Sequence, residues 1–165
     1  MKRLTRRRLL ATAAALPVAA PAALAAPAAP GSTVQWPEVT LLDGSRFGAE
    51  QARGRALVVV FWSITCPFCR RHNQHVDKLH RAAAGRALTV LGAARDRDPA
   101  AVRRHMLSQG HAFAVTLDWR PLAEALSQRN VIPLTVTVDR QGRLKQVIPG
   151  EMFEEDVLGL LELAG

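Results

Sequence analysis

The chain has 165 residues, 48% of them hydrophobic, with two cysteines and a formal charge of +8. That length suits one domain with its own core once terminal segments are set aside. Two cysteines are too few for a disulfide scaffold. The arginines are scattered among acids, with no basic run interleaved with aromatics, so the charge gives no reason to expect nucleic acid as a partner.

The opening MKRLTRRRLL carries Lys2, Arg3, Arg6, Arg7 and Arg8 and no acid, and an alanine-rich apolar stretch follows it. A basic start, an apolar middle and the small-residue site Ala23-Leu24-Ala25 describe an export signal over residues 1–25. Thr5-Arg6-Arg7-Arg8-Leu9-Leu10 resembles a twin-arginine export motif. The alternative is an uncleaved anchor in the inner membrane. The stretch is mostly alanine and is broken by Pro17 and Pro21, whereas a spanning helix needs about 20 strongly apolar residues. The expected location is therefore periplasmic, with cleavage near Ala25 and no stable membrane insertion afterwards. Five of the positive charges leave with the signal, so the remaining chain is only about +3.

Residues 26–36 are rich in Pro, Ala, Gly and Ser and predict a disordered lead-in to a domain at 37–165. VTLLDGSRF, 39–47, contains Asp43-Gly44, a hairpin turn signal. ALVVVFW, 56–62, is a run of β-formers with no polar face, as in a strand covered on both sides. Residues 67–84 predict a helix with Val76, Leu79 and Ala83 on one face, and 87–93 a second strand. Asp98-Pro99 marks a helix start that runs towards Gly110. A short strand at 113–117 and a short helix at 121–129 follow. LTVTVD, 134–139, turns at Gln141-Gly142 and returns as RLKQVI, and a last helix is expected over about 152–163. Alternating strands and helices with a late hairpin predict an α/β domain, a mixed central sheet with helices on both faces. Pro133 stands directly before a strand, where it marks a bulge, an edge or a special turn.

The chemistry concentrates in CPFCRRHNQH, 66–75. With Cys66 as N-cap, Pro67 falls at N1, where its missing N–H costs nothing. The Cys66 sulfur then faces the free amides of the first helical turn and the positive end of the helix dipole, and both favour thiolate over thiol. Cys69, one turn on, is placed to close a small disulfide ring. One sulfur would attack a partner's disulfide and the other would resolve the mixed disulfide. A bridge over so short a loop adds little stability, so the pair is read as chemical.

His72 and His75 continue the spacing of three, which offers a second reading as a Cys/His zinc or copper site. Positions three apart drift by roughly 60° per step around a helix, so four in a row do not converge on one point. No metal ligand is therefore assigned. His80, His105 and His111 have no spacing of interest and are expected at the surface.

VVVFWSITCPFCR, LTVLGAARDRDPAAVRRHM, FAVTLD and NVIPLTVTVDRQGRL together resemble the TlpA/ResA-type thioredoxin-like thiol–disulfide oxidoreductases over residues 36–163. The resemblance implies a thioredoxin-like fold with Cys66 and Cys69 as the redox pair. It implies a cis Pro133 facing the dithiol, Ile132 offering backbone hydrogen bonds to substrate, and Trp62 packed beneath the site. Pro67 and Phe68 lie between the cysteines, and Pro67-Phe68 is similar to the glutaredoxin dipeptide. Thr65, Val60 and His72 depart from the family's pattern: Val60 and His72 occupy positions where relatives carry acids. His72 is accordingly expected to accept the proton of the resolving thiol or, as a cation, to favour thiolate; the bland alternative is a partly exposed helix histidine.

No cofactor is expected, since the dithiol carries both electrons. The implied partners are protein thiol or disulfide substrates and a membrane or periplasmic electron donor, with apocytochromes c or copper-centre proteins as clients. Reduction is the expected direction. A thiol oxidase of the same fold and a peroxiredoxin-like peroxidase are the alternatives, and Pro-x-x-x-Thr-x-x-Cys, which the peroxidase would need, is absent at Cys66.

Overall fold

The computed structural model describes residues 28–165; the expected export signal lies outside them. Val39–Thr40 (β1) and Arg46–Phe47 (β2) form a small antiparallel hairpin, followed by a single turn of helix, Ala49–Ala52 (α1). The main elements are then Ala56–Trp62 (β3), Pro67–Ala82 (α2), Leu88–Ala94 (β4), Pro99–Gln109 (α3) and Ala114–Thr116 (β5). Trp119–Leu126 (α4), Leu134–Val138 (β6), Leu144–Pro149 (β7) and Glu154–Gly159 (α5) complete the domain, with a 3-10 turn at Leu160–Ala164.

Five strands form one mixed sheet in the order β5-β4-β3-β6-β7. β3, β4 and β5 run parallel, while β6 lies antiparallel to β3 and β7 antiparallel to β6. All seven residues of β3 are buried, as its unbroken apolar run predicts. Alternate side chains serve opposite faces. Val58, Val60 and Trp62 pack with Val76 and Leu79 of α2, Val102 of α3 and Val157 of α5. Leu57, Val59 and Phe61 pack with Leu122 and Leu126 of α4 and with Val39 and Phe47 of the hairpin. Among the described residues no helix is long and apolar enough to cross a membrane.

Four local expectations are revised. The lead-in is ordered from Ala28: Gly31 N–H donates to the Leu144 carbonyl at 2.7 Å and Val34 N–H to that of Gly142 at 2.8 Å. Val34 is buried, and Trp36 meets the Phe47 ring edge-on at 6.1 Å. Two apolar residues thus anchor a segment whose composition reads as disordered. The short helix α4 starts before Pro121, because proline is tolerated within a first turn whose N–H groups have no helical partner. The last helix starts two residues later than expected and tightens into the 3-10 turn. His105 and His111 are partly buried, with tilted ring stacks of 5.6 Å on Trp62 and 5.5 Å on Phe113 respectively.

Gly92 of β4 shows how tightly the face behind the dithiol is filled. A Cβ there would lie 2.8 Å from a Phe113 ring carbon, 2.9 Å from Trp62 Nε1 and 3.2 Å from Val115. Gly92→Ala is expected to lower the unfolding free energy by about 2 kcal/mol with an unchanged denaturant slope. Equilibrium urea unfolding checks this; a loss below about 0.5 kcal/mol would mean that the rings move aside freely.

Candidate functional site

The site lies at the carboxyl end of β3, where the central strand hands the chain to α2. Cys66 is the N-cap of α2 in extended conformation, with Pro67 at N1. Cys69 N–H donates to Cys66 Sγ at 3.2 Å, so the sulfur takes up one of the free amides of the first turn. The turn before it is fixed from β4's far end: Ser63 Oγ donates to Asp96 Oδ1 at 2.9 Å, and Ile64 N–H to Asp96 Oδ2 at 3.1 Å. Cys66 N–H closes the turn on the Ser63 carbonyl at 3.2 Å.

The two cysteines differ. Both are free thiols; Cys66 is partly exposed, Cys69 fully buried. Burial, reinforced by the hydrogen bond and charge of Cys66, pushes the Cys69 thiol up to about 12. Phe68 between them is 55% exposed, and the Arg71 guanidinium lies 5.2 Å from its ring centre. Trp62 packs in the same buried cluster as Cys69, and among the described residues its indole N–H has no acceptor.

Across from the dithiol, the Ile132–Pro133 peptide is cis, and the Ile132 carbonyl lies 4.0 Å from Cys66 Sγ. Residues 66 positions apart in sequence thus form the two walls of one site. The segment immediately before them is held by Arg95, which follows β4. Arg95 donates to Asn130 Oδ1 at 2.8 Å and to the Arg129 carbonyl at 3.2 Å. Neither Arg95 nor Asp96 stands out in the sequence. The only signal for them was position, since both directly follow a parallel strand at the end of the sheet where open α/β folds place their sites.

His72 departs from its expected roles. It is fully buried, where the bland alternative had it partly exposed. Met152 N–H donates to Nδ1 at 3.3 Å, which leaves the ring proton on Nε2 to donate to Thr135 Oγ1 at 3.0 Å. Burial, with the neighbouring His75, holds its pKa down at about 4, against a smaller opposing pull from Glu151. A neutral imidazole with both nitrogens engaged supplies neither a cation for Cys66 nor a free base for Cys69. His75 Nδ1 donates to the Met152 carbonyl at 3.3 Å. The two histidines that continue the cysteine spacing thus grip the backbone of one residue, Met152, ahead of α5, one at its N–H and the other at its carbonyl. Arg71 with Glu151 and Lys78 with Glu154 extend the same seam. Among the described residues no three His, Cys, Asp or Glu side chains come together as a metal site requires.

A surface-accessible sulfur at a helix start, a buried partner one turn on and an opposing backbone carbonyl can carry out thiol–disulfide exchange. The Redoxin family profile matches residues 29–161. A thiol-disulfide oxidoreductase ResA of Geobacillus kaustophilus is 27% identical over 134 residues, covering 80% of this chain and 76% of the relative. A thiol:disulfide interchange protein of the thioredoxin family from Chlorobium tepidum superposes with a TM-score of 0.73 at 23% identity, over 82% of this chain and 97% of that one. A secreted thiol-disulfide isomerase from Corynebacterium glutamicum gives 0.71 at 23%, over 79% and 84%. The fold is thioredoxin-like.

Proposed function

From a chain that belongs to the Redoxin family and is a thiol–disulfide oxidoreductase of the ResA/TlpA type, we propose an exported protein-disulfide reductase. The observation that carries this reading is the asymmetry of the pair, with Cys66 Sγ partly exposed on a helix amide and Cys69 buried behind it. Cys66, as thiolate, attacks one sulfur of a client disulfide, and the other client sulfur leaves as a thiolate. Cys69, once deprotonated, attacks Cys66 Sγ, expels the second client thiol and leaves a Cys66–Cys69 disulfide. Two electrons pass to the client, so a periplasmic or membrane donor must restore the dithiol, and no cofactor takes part.

Ile132 and Pro133 form the platform opposite Cys66, Phe68 offers an exposed apolar contact, Pro67 presets the helix start and Trp62 supports the floor. Reduction is favoured over oxidation by how little holds the Cys66 sulfur as an anion. A strong oxidant of this fold depends on a heavily stabilised thiolate. Here one backbone amide reaches Cys66 Sγ, and the side chain that partners it is the Cys69 thiol, a weak donor. Export is supported by the basic, then alanine-rich start of the chain and by the secreted relative from Corynebacterium glutamicum. Apocytochromes c and copper-centre proteins, which need their cysteines reduced before loading, are the clients proposed.

A redox titration of residues 26–165 in dithiothreitol buffers, with free thiols counted by mass tagging, tests the direction. A reversible two-electron couple at roughly −250 mV or below is expected. A potential near about −120 mV would make the protein a thiol oxidant instead.

A further inference from the structure

The platform opposite Cys66 raises a question of support. Residues 127–131, which lead from α4 to the cis peptide, are neither helix nor strand. Within that stretch the side-chain hydrogen bond is local and long, from Arg129 N–H to Ser127 Oγ at 3.4 Å. Among the described residues, the side-chain hydrogen bonds that reach across the fold to it are the two from Arg95, to Asn130 Oδ1 and to the Arg129 carbonyl.

Arg95 is itself fixed. Its backbone N–H donates to the Trp62 carbonyl at 2.8 Å, adding one rung beyond the β3–β4 ladder. Its guanidinium sits 5.0 Å from the Trp119 ring centre and 5.8 Å from that of Phe61. Trp119 is in turn faced by Arg120 at 4.9 Å. A planar fork suits this place: it stacks on aromatic faces while two nitrogens donate in fixed directions. Lysine keeps the charge but neither the plane nor the paired donors.

We propose that Arg95 is a positioning residue for substrate, setting where the backbone at Ile132 stands relative to Cys66 and so selecting disulfides held in extended polypeptide over small ones. This rests on the reading of Ile132–Pro133 as the polypeptide platform. A small disulfide needs only the Cys66 sulfur. A disulfide within a chain must also lay its flanking backbone along Ile132, and a displaced platform weakens that contact without touching the sulfur.

Arg95→Lys and Asn130→Ala, made in the domain of residues 26–165, test it. Each is assayed for reduction of an unfolded, disulfide-bonded polypeptide and of bis(2-hydroxyethyl) disulfide. For Arg95→Lys, kcat/KM on the polypeptide should fall about 10-fold, chiefly through KM, while the small disulfide changes by less than about 2-fold. The dithiol potential should not move. Asn130→Ala should give a smaller loss of the same kind, and the double variant should be no worse than Arg95→Lys alone, because Arg95→Lys already removes the contact that Asn130→Ala removes. Equal losses on both substrates, additive losses, or an unchanged polypeptide rate would overturn the proposal. If the unaltered domain does not reduce polypeptide disulfides at all, the platform reading itself fails, a result distinct from an active domain indifferent to Arg95.

Discussion

Replacing Cys66 by serine should cut disulfide reduction by at least about 10³-fold, whatever the substrate, while leaving the fold intact. A hydroxyl at the N-cap still accepts the Cys69 amide, since serine is among the preferred capping residues. The loss is therefore chemical and not structural, and unaltered urea unfolding should accompany it. Cys69→Ser should behave differently. Cys66 still attacks, but no sulfur stands behind it to expel the client, so a one-to-one mixed disulfide accumulates. The buried position of Cys69 strengthens the trap, because an external thiol must reach Cys66 from the client's side. Non-reducing gel analysis with mass measurement of the adduct decides it. If Cys69→Ser turned over freely, or if the adduct formed at Cys69 in Cys66→Ser, the assignment of nucleophile and resolver would be reversed.

Acidification should weaken the fold through His72. An unfolded histidine titrates near 6.5, and burial holds this one down at about 4. Between those values the unfolded chain binds a proton that the folded chain does not, so stability rises with pH across the window and falls on acidification. At pH 4 the contribution of this one side chain to the loss is about 3 kcal/mol relative to pH 7.5. His72→Gln offers an acceptor towards Met152 and a donor towards Thr135 with no titrating group, so it should remove that part of the pH dependence. Urea unfolding at pH 7.5, 5.5 and 4 for both proteins measures the difference. Parallel stability profiles would mean that His72 is not held neutral in the folded protein. The test matters for mechanism as well, since a histidine that stays neutral to pH 4 does not serve as a cation beside the dithiol.

The parts legible in the sequence are those governed by neighbours in the chain. The bounds of β3 follow from an unbroken run of β-formers, and Asp98 caps α3 by accepting the Ala100 amide at 2.8 Å, as Asp-Pro predicts. Cys66 as N-cap with Pro67 at N1 is the same kind of local reading. His72 was not legible, because its partners are 63 and 80 residues away and only the folded chain shows that the ring is enclosed. A helix position three after a reactive cysteine suggests proton handling, whereas packing against β6 and the segment before α5 makes it a fastener. Arg95 escaped notice for the same reason: an arginine after a strand reads as a solvated charge until the rings of Phe61 and Trp119 close around it. Val34 and Trp36, in a stretch of weak composition, were concealed by their neighbours' identities.

The ordered lead-in bears on how this protein meets other chains. β7 is an outer strand of the sheet, and such a strand invites an extended foreign segment to add to it. Gly31, Ser32 and Val34 occupy backbone groups at its start, Lys145 puts an exposed charge beside it, and Pro149 removes a donor at its end. On the proposed function the substrates are polypeptides, some of which carry segments able to join a strand. With the start of that rim occupied, the proposed platform at Ile132, beside the sulfur, is where an incoming chain would meet exchange and release.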